Sequence, residues 1–395
     1  MMKHKLLLLP ALLLGLPLSP LLAAFSPSSP LFTRLAGPVT VPAEVRDHAF
    51  FVAVTLNGRG PFRMMVDTGS SVTVLTPACA AAANLEPAEA DLPPADSLNG
   101  FDHSADVQPI LLRTLDIGGA RFEGVSAGIS PDLVAAAHAN GQAFDGVLGF
   151  SLFSDVIVAL DFPGRRLVLS HDFPTTLPPI RAELAVREVR EVPLVTARFA
   201  GEEFELAVDT GSNSGVVIPA ALARTARWKA EPRIGRLVTA LGESGREIVG
   251  RLSGEVHFGA VAQIEPVVGV SDGSASVGVG FLQHFCVVFD EAHDKLWLCG
   301  ASTEPVPAPP TRTVGLSLLA DAGGWRVAGT IPGSPAEGAG ITAGDIVTLI
   351  EGRPAASWSR DQIDGWADQH SQLALHIVHD RDGRDLDLPV WALVP

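Results

Sequence analysis

Two aspartates, Asp67 and Asp209, stand in the same short frame: Phe62-Arg-Met-Met-Val66-Asp67-Thr68-Gly69-Ser70 and Phe204-Glu-Leu-Ala-Val208-Asp209-Thr210-Gly211-Ser212. A Phe lies five residues before each Asp, and Pro77 and Pro219 lie ten after. A single Asp-Thr-Gly is ordinary turn composition. Two copies at the ends of apolar strands, where a charge is costly to bury, demand more explanation. In a twofold repeat, equivalent residues can meet on the axis. Two carboxylates in contact there cannot both ionise readily and share a proton, so that one serves as base and the other as acid.

The surrounding elements repeat as well. Alternating apolar patterns at 51–56 and 194–199 each lead through a Gly-containing turn into a second strand that ends at the Asp. Each Pro opens an Ala-rich stretch, 78–83 and 220–226, that predicts a short helix. A Gly-punctuated apolar segment follows in each half, 145–149 and 277–280. A strand pair with an acidic turn comes next, 156–161 with 166–170 and 286–290 with 296–299. Residues from about 40 to 300 therefore divide into two homologous β-rich lobes, and a repeat of only two units argues for a pseudo-dimer instead of a solenoid.

These segments resemble the active-site loops of pepsin-like and retroviral aspartic proteases, whose signature is two apolar residues followed by Asp-Thr/Ser-Gly-Ser/Thr. The resemblance covers about two thirds of the chain. It implies a mainly β, two-lobed acid-protease fold, a β-barrel pseudo-dimer, with a catalytic pair formed by Asp67 and Asp209. A water held between them would be deprotonated as it attacks the scissile carbonyl, while the other carboxyl protonates the leaving amine. Thr68 and Thr210 would cross-brace the two loops. Gly69 and Gly211 would let backbone N–H groups approach the carboxylates, and Ser70 and Ser212 would bond the outer carboxylate oxygens. The segments around 147–149 and 277–280 resemble the strand that threads through each loop in that family. Pepsin-like enzymes usually carry a Tyr on the flap over the substrate, and this chain has none. The resemblance is therefore nearer to a fused retropepsin pair, with flap candidates at Leu98-Asn99-Gly100-Phe101 and Leu241-Gly242-Glu243-Ser244-Gly245. Neither a cofactor nor a metal is implied. The expected substrate is a peptide or unfolded protein; a catalytically inactive peptide-binding protein, or an envelope scaffold on the same folds, is the alternative.

Bulk properties agree with β structure and exclude some partners. Gly and Pro number 39 and 31, which suits turn-rich sheets. A net charge of -16 with scattered basic residues disfavours a nucleic-acid backbone as ligand. Lys3 and Lys5, an uncharged Leu-rich stretch and then Ala23-Ala24 have the layout of a secretory signal peptide over 1–24. Pro10, Pro17 and Pro20 disfavour a membrane-spanning anchor, so membrane contact is expected only if the segment stays uncleaved. The location expected is periplasmic or secreted. Three cysteines cannot frame the fold, but Cys286 and Cys299 face each other if 286–299 is a hairpin turning at 292–293. A bridge is expected there in an oxidising compartment, with two buried thiols as the alternative. No His-Glu-x-x-His or Gly-Lys-Ser/Thr loop occurs. A serine-nucleophile elbow is not expected, and His376 and His379, at odd strand separation, should point to opposite faces.

The domains predicted are a signal peptide (1–24), an N-terminal lobe (25–178), a C-terminal lobe (179–300), a Pro-rich linker (301–312) and a further module (313–395). Four prolines in 301–312 predict a semi-extended tether. In the module, 314–319, 325–331 and 346–350 read as strands. Ser334-Pro335 opens a helix, Ser359-Arg-Asp-Gln362 is a capping box, and a hairpin turns through 380–383. The run Gly333-Ser-Pro-Ala336, Ala339-Gly-Ile341, Gly344-Asp-Ile346 resembles bacterial PDZ domains, small α+β folds. That implies Val314-Gly315-Leu316 as the loop whose amides receive a C-terminal peptide carboxylate, unless the module packs on the protease and binds no free ligand. A tethered module would raise the local concentration of substrate; a packed one would act as a lid.

Overall fold

The computed structural model describes residue 30 and residues 32–85, 98–99, 104–105, 107–134, 143–189, 191–240 and 243–395, with the backbone alone at 98–99, 104–105, 236–240 and 243–245. The predicted signal segment, and residues 100–101 and 241–242 of the two predicted flaps, lie outside these residues. The fold is mainly β.

Each half begins with a hairpin whose turn chemistry is local. Strand Ala49–Leu56 passes through Asn57 and Gly58, both at positive φ (48 and 78), into Arg59–Asp67. Val192–Phe199 passes through Ala200 and Gly201 (φ 53 and 87) into Glu202–Val208. Two consecutive left-handed residues give the turn twist that antiparallel strands need. The second strand of each hairpin then pairs in parallel with the Gly-punctuated segment: Met65 with Val147 and Asp67 with Gly149 in one half, Val208 with Val277 in the other. Beyond each Asp loop, Thr73–Leu75 and Val216–Pro219 return antiparallel to that same segment. Helices Pro77–Ala82 and Ala220–Thr225 follow, the first capped by Thr76, whose hydroxyl accepts from the Cys79 N–H at 3.2 Å. The pairing around each Asp loop thus repeats, while the outer strands differ, and an eight-stranded and a ten-stranded sheet result among the described residues.

A six-stranded sheet joins the halves, in the order Ile180–Ala185, Lys295–Cys299, Cys286–Asp290, Ile157–Asp161, Arg166–Ser170, Val39–Pro42. Its central contact pairs Val158 with Phe289 and Leu160 with Val287, one strand from each half. Phe150 meets Phe289 edge to face at 5.3 Å, so a single apolar core runs through both halves. Because burial of large apolar side chains is the dominant stabilising term, neither half is complete without the other.

Cys286 and Cys299 are directly opposed, as the hairpin arithmetic requires, but the expected bridge is absent: both thiols are free and buried. Burial and the nearby Asp161 push both thiols up, Cys299 to about 11, which keeps them in the unreactive protonated form. The second Gly segment also departs from expectation. Only Ser276–Val277 is strand, and a helical turn, Val279–Leu282, starts immediately after Gly278.

The C-terminal residues form a sheet ordered Leu316–Asp321, Gly324–Thr330, Ile346–Ile350, Gln372–His379, Asp382–Pro389, with Arg353–Pro354 added on Ile346–Ile350. Ser334 caps Pro335–Gly338, and Ser359 with Gln362 forms the predicted capping box on Arg360–Gln369. The core here is separate, built around Trp325, Val327, Val347 and Ile377. His376 and His379 diverge as expected, His376 to Asp385 (2.7 Å) and His379 to Asp345 (2.5 Å).

The linker is not a free tether. Val306 N–H donates to Ala262 O at 2.9 Å, and Gln263 Nε2 donates to Pro307 O at 3.0 Å. Arg251, almost fully buried, donates to the carbonyls of Ala308 and Pro309 at 3.0 Å each. Proline removes backbone donors but leaves carbonyls, and a guanidinium with five donors collects them.

Candidate active site

The two Asp-Thr-Gly loops meet through their threonines. Thr68 N–H donates to Thr210 Oγ1 at 3.0 Å, and Thr210 N–H donates to Thr68 Oγ1 at 3.1 Å. Each hydroxyl donates in turn to the carbonyl just before the opposite aspartate, Thr68 to Val208 O (2.5 Å) and Thr210 to Val66 O (2.7 Å). Both threonines are fully buried. Three polar groups from each loop are satisfied by the other loop through four hydrogen bonds, so the arrangement forms only when the halves are in register.

The glycines bring the carboxylates together. Gly69 N–H donates to Asp67 Oδ1 and Gly211 N–H to Asp209 Oδ1, both at 2.9 Å. Each glycine also lies against the opposite aspartate: a Cβ on Gly69 would stand 2.5 Å from Asp209 Oδ1, and one on Gly211 2.5 Å from Asp67 Cγ. No side chain fits in either place. The adjoining Gly segments thread beside the loops, with Phe150 N–H donating to Ser70 O and Val279 N–H to Ser212 O, both at 2.8 Å.

Burial is the largest influence on Asp67, followed by the charge of Asp209. Together with a hydrogen bond between the two side chains, these outweigh the Gly69 and Ser70 amides and push the Asp67 carboxyl up to about 8. Two carboxyls placed in this way favour sharing a proton over both being ionised.

The serines do not take the places expected of them. Ser70 Oγ donates to Val72 O at 2.9 Å, and Ser212 Oγ bonds Ser214 Oγ at 2.7 Å. Each hydroxyl finds a partner two residues on in its own loop, the local bond that Ser favours in turns. Ser212 instead contributes its backbone N–H, to Asp209 Oδ1 at 3.1 Å.

Of the flap candidates, Leu98–Asn99 pairs with Ser104–Ala105, and Glu243–Leu252 forms a long hairpin with Trp228–Ala240. Val314, Gly315 and Leu316 lie in the separate C-terminal module. Gly315 N–H donates to Thr313 Oγ1 at 3.0 Å, and the Val314 and Gly315 carbonyls accept from Ala336 and Ile331. Two Gly-x-Ser-x-Gly strings occur, at 124–128 and 269–273. Ser126 sits inside strand Ala120–Ile129 and Ser271 ends Val267–Ser271, and neither string leads into a helix as a nucleophile elbow does.

Residues 52–152 match the sequence model of a family described as aspartyl protease. That span contains Asp67, its loop and the adjoining Gly segment, and it supports a general aspartic protease function. Among solved structures the chain is similar to a retropepsin-like aspartic protease from Rickettsia conorii, at 21% identity over 35% of this chain and 94% of that one, with a TM-score of 0.26. No curated protein matches.

Proposed function

We propose that the chain is an aspartic-type endopeptidase in which Asp67 and Asp209 act as one catalytic unit on a peptide or unfolded protein. The reciprocal threonine brace carries this reading, because it holds the two aspartates of a repeated sequence against each other. The ionised carboxylate of the pair takes a proton from a water lying between the two as the water's oxygen attacks the scissile carbonyl. The other carboxyl, protonated, supplies the proton that the leaving amine needs. The Gly69 and Gly211 amides fix both carboxylates during the exchange. On this reading the eight- and ten-stranded sheets are the two lobes of a fused retropepsin-type pseudo-dimer, divided near residue 178. The hairpin of residues 228–252 is a flap.

The C-terminal module reads as a PDZ domain. Leu316–Asp321 is a sheet edge able to accept an extended chain, and Val314-Gly315-Leu316 would receive its carboxylate. A signal peptide at 1–24 would place the enzyme in the periplasm or outside the cell. Digestion of an unbiased peptide library tests the catalytic reading. The wild type should cut at a reproducible subset of bonds, and Asp67→Asn should cut at none. Peptide binding by the wild type without cleavage would establish the non-catalytic alternative.

A further inference from the structure

The C-terminal module touches both halves of the molecule, and the two contacts differ in kind. Against the ten-stranded sheet it buries an apolar seam: Ile331, Leu393 and Val394 pack on Val249, at the stem of the hairpin 228–252. Arg251 reinforces the seam. Its guanidinium donates to Pro395 O (2.5 Å) as well as to Glu265 O (2.7 Å) and the two linker carbonyls.

Against the N-terminal half the contact is polar, with Asp47 buried and His48 at a partly exposed rim. Asp47 N–H donates to Asp361 Oδ2 at 2.5 Å, Asp361 N–H donates to Asp47 Oδ1 at 3.1 Å, and His48 Nδ1 lies 2.8 Å from Asp361 Oδ1. Asp361 occupies the first turn of helix Arg360–Gln369, where an amide has no partner within the helix, and Asp47 supplies one from another module. Asp47 is buried (7%), while the side chains of His48 and Asp361 keep about a third of their surface exposed (34% and 37%), so water reaches the rim of this joint, whereas Ile331, Leu393 and Val394 of the seam are covered.

The place of the joint matters. Asp47 and His48 form the turn between strands Glu44–Arg46 and Ala49–Leu56. The register that sets Phe51 against Met65, continued by two residues, brings Ala49 level with Asp67. The module thus spans from the stem of the proposed flap to a hairpin tip level with the catalytic pair.

We propose that the contacts of Asp361 with Asp47 and His48 form a releasable joint, which holds the C-terminal module across one end of the cleft and admits long chains only when it opens. Asp361 is then a positioning residue that sets substrate size, and the inference rests on the peptidase reading above. The seam is apolar and reinforced by Arg251, while the joint is a few polar bonds with an exposed rim, so the module swings about the seam when the joint opens.

Hydrogen exchange on the full chain tests the asymmetry without any need for activity. The Asp47 and Asp361 amides should show protection factors about tenfold or more below that of the Arg251 Nε–H, which donates across the seam to Pro395 O. Equal protection at the two contacts would overturn the proposal. The second arm uses Asp67→Asn as background and a reduced, carboxymethylated, fluorescein-labelled protein chain as probe. Adding Asp361→Ala should tighten its binding about three- to tenfold, because a closed state no longer competes. His48→Gln, which removes only the ion pair, should give a smaller change in the same direction. Unchanged or weaker binding in both would refute the joint. In the active enzyme the gain should appear in KM for the long chain, with kcat and short-peptide kinetics unmoved; equal effects on both substrates would count against it. A wild type that cleaves nothing would end the peptidase reading, while the exchange and binding results would still decide for or against the joint.

Discussion

Replacing Thr68 with Val keeps the side-chain volume and removes one hydroxyl. That hydroxyl donates to Val208 O at 2.5 Å and accepts from Thr210 N–H at 3.1 Å, inside a fully buried contact. The substitution leaves a carbonyl and an amide unpaired, where each unsatisfied group costs about 1–3 kcal/mol, or about 2–6 kcal/mol together. A domain's whole stability is about 5–15 kcal/mol, so the loss is a large part of it. Thr68→Ser, which keeps the hydroxyl, should recover most of it. Urea denaturation followed by tryptophan fluorescence measures both variants. Because Thr210→Val would unpair the Thr68 N–H and Val66 O in the same contact, the double variant should fall short of additivity by at least about 0.5 kcal/mol. A Thr68→Val protein within about 1 kcal/mol of wild type would show that the loops are not braced as described.

The protonation of the pair predicts a pH dependence: kcat/KM should fall along an alkaline limb near pH 8, as Asp67 loses its proton. The folded-state value lies above the ordinary 3.8, so the stabilising contribution of protonated Asp67 is complete below about pH 4 and is lost as pH rises through about 8. Thermal melts of wild type and Asp67→Asn should diverge across that window, and parallel melts would contradict the assignment. Gly69→Ala places a methyl 2.5 Å from Asp209 Oδ1 and must part the loops, so kcat should drop about a hundredfold or more in a peptide assay. Arg251→Leu frees the carbonyls of Ala308 and Pro309, and limited proteolysis should cut within 301–312 about tenfold faster than in wild type.

The two Asp-Thr-Gly loops were legible because their signal is local and doubled: Asp, Thr and Gly each have one stereochemical task, and the second copy removes chance. The Cys286–Cys299 register and the Ser359 cap were legible for the same reason, since each follows from counting along one hairpin or one helical turn. The hydroxyls of Ser70 and Ser212 were not. A serine chooses among acceptors within reach, and Val72 O and Ser214 Oγ became the nearest only once each loop had closed. Arg251 reads as one more strand residue, yet its partners come from residues 265, 308, 309 and 395, a convergence that no local pattern encodes. The linker was misread for that reason, since its prolines predict an extended shape correctly but say nothing of what binds their carbonyls. The Asp47–Asp361 contact was equally hidden, as two acidic residues attract no attention until each meets the other's amide.

The central claim is that Asp67 and Asp209 work as one unit. Its most direct measurement compares cleavage of one peptide by Asp67→Asn, Asp209→Asn and the double variant, each shown to be folded by its melting transition. Groups that share one proton fail together, so all three variants should lose kcat to the same residual level. A single variant that keeps substantial turnover, or a double variant whose loss equals the product of the two single losses, would contradict it.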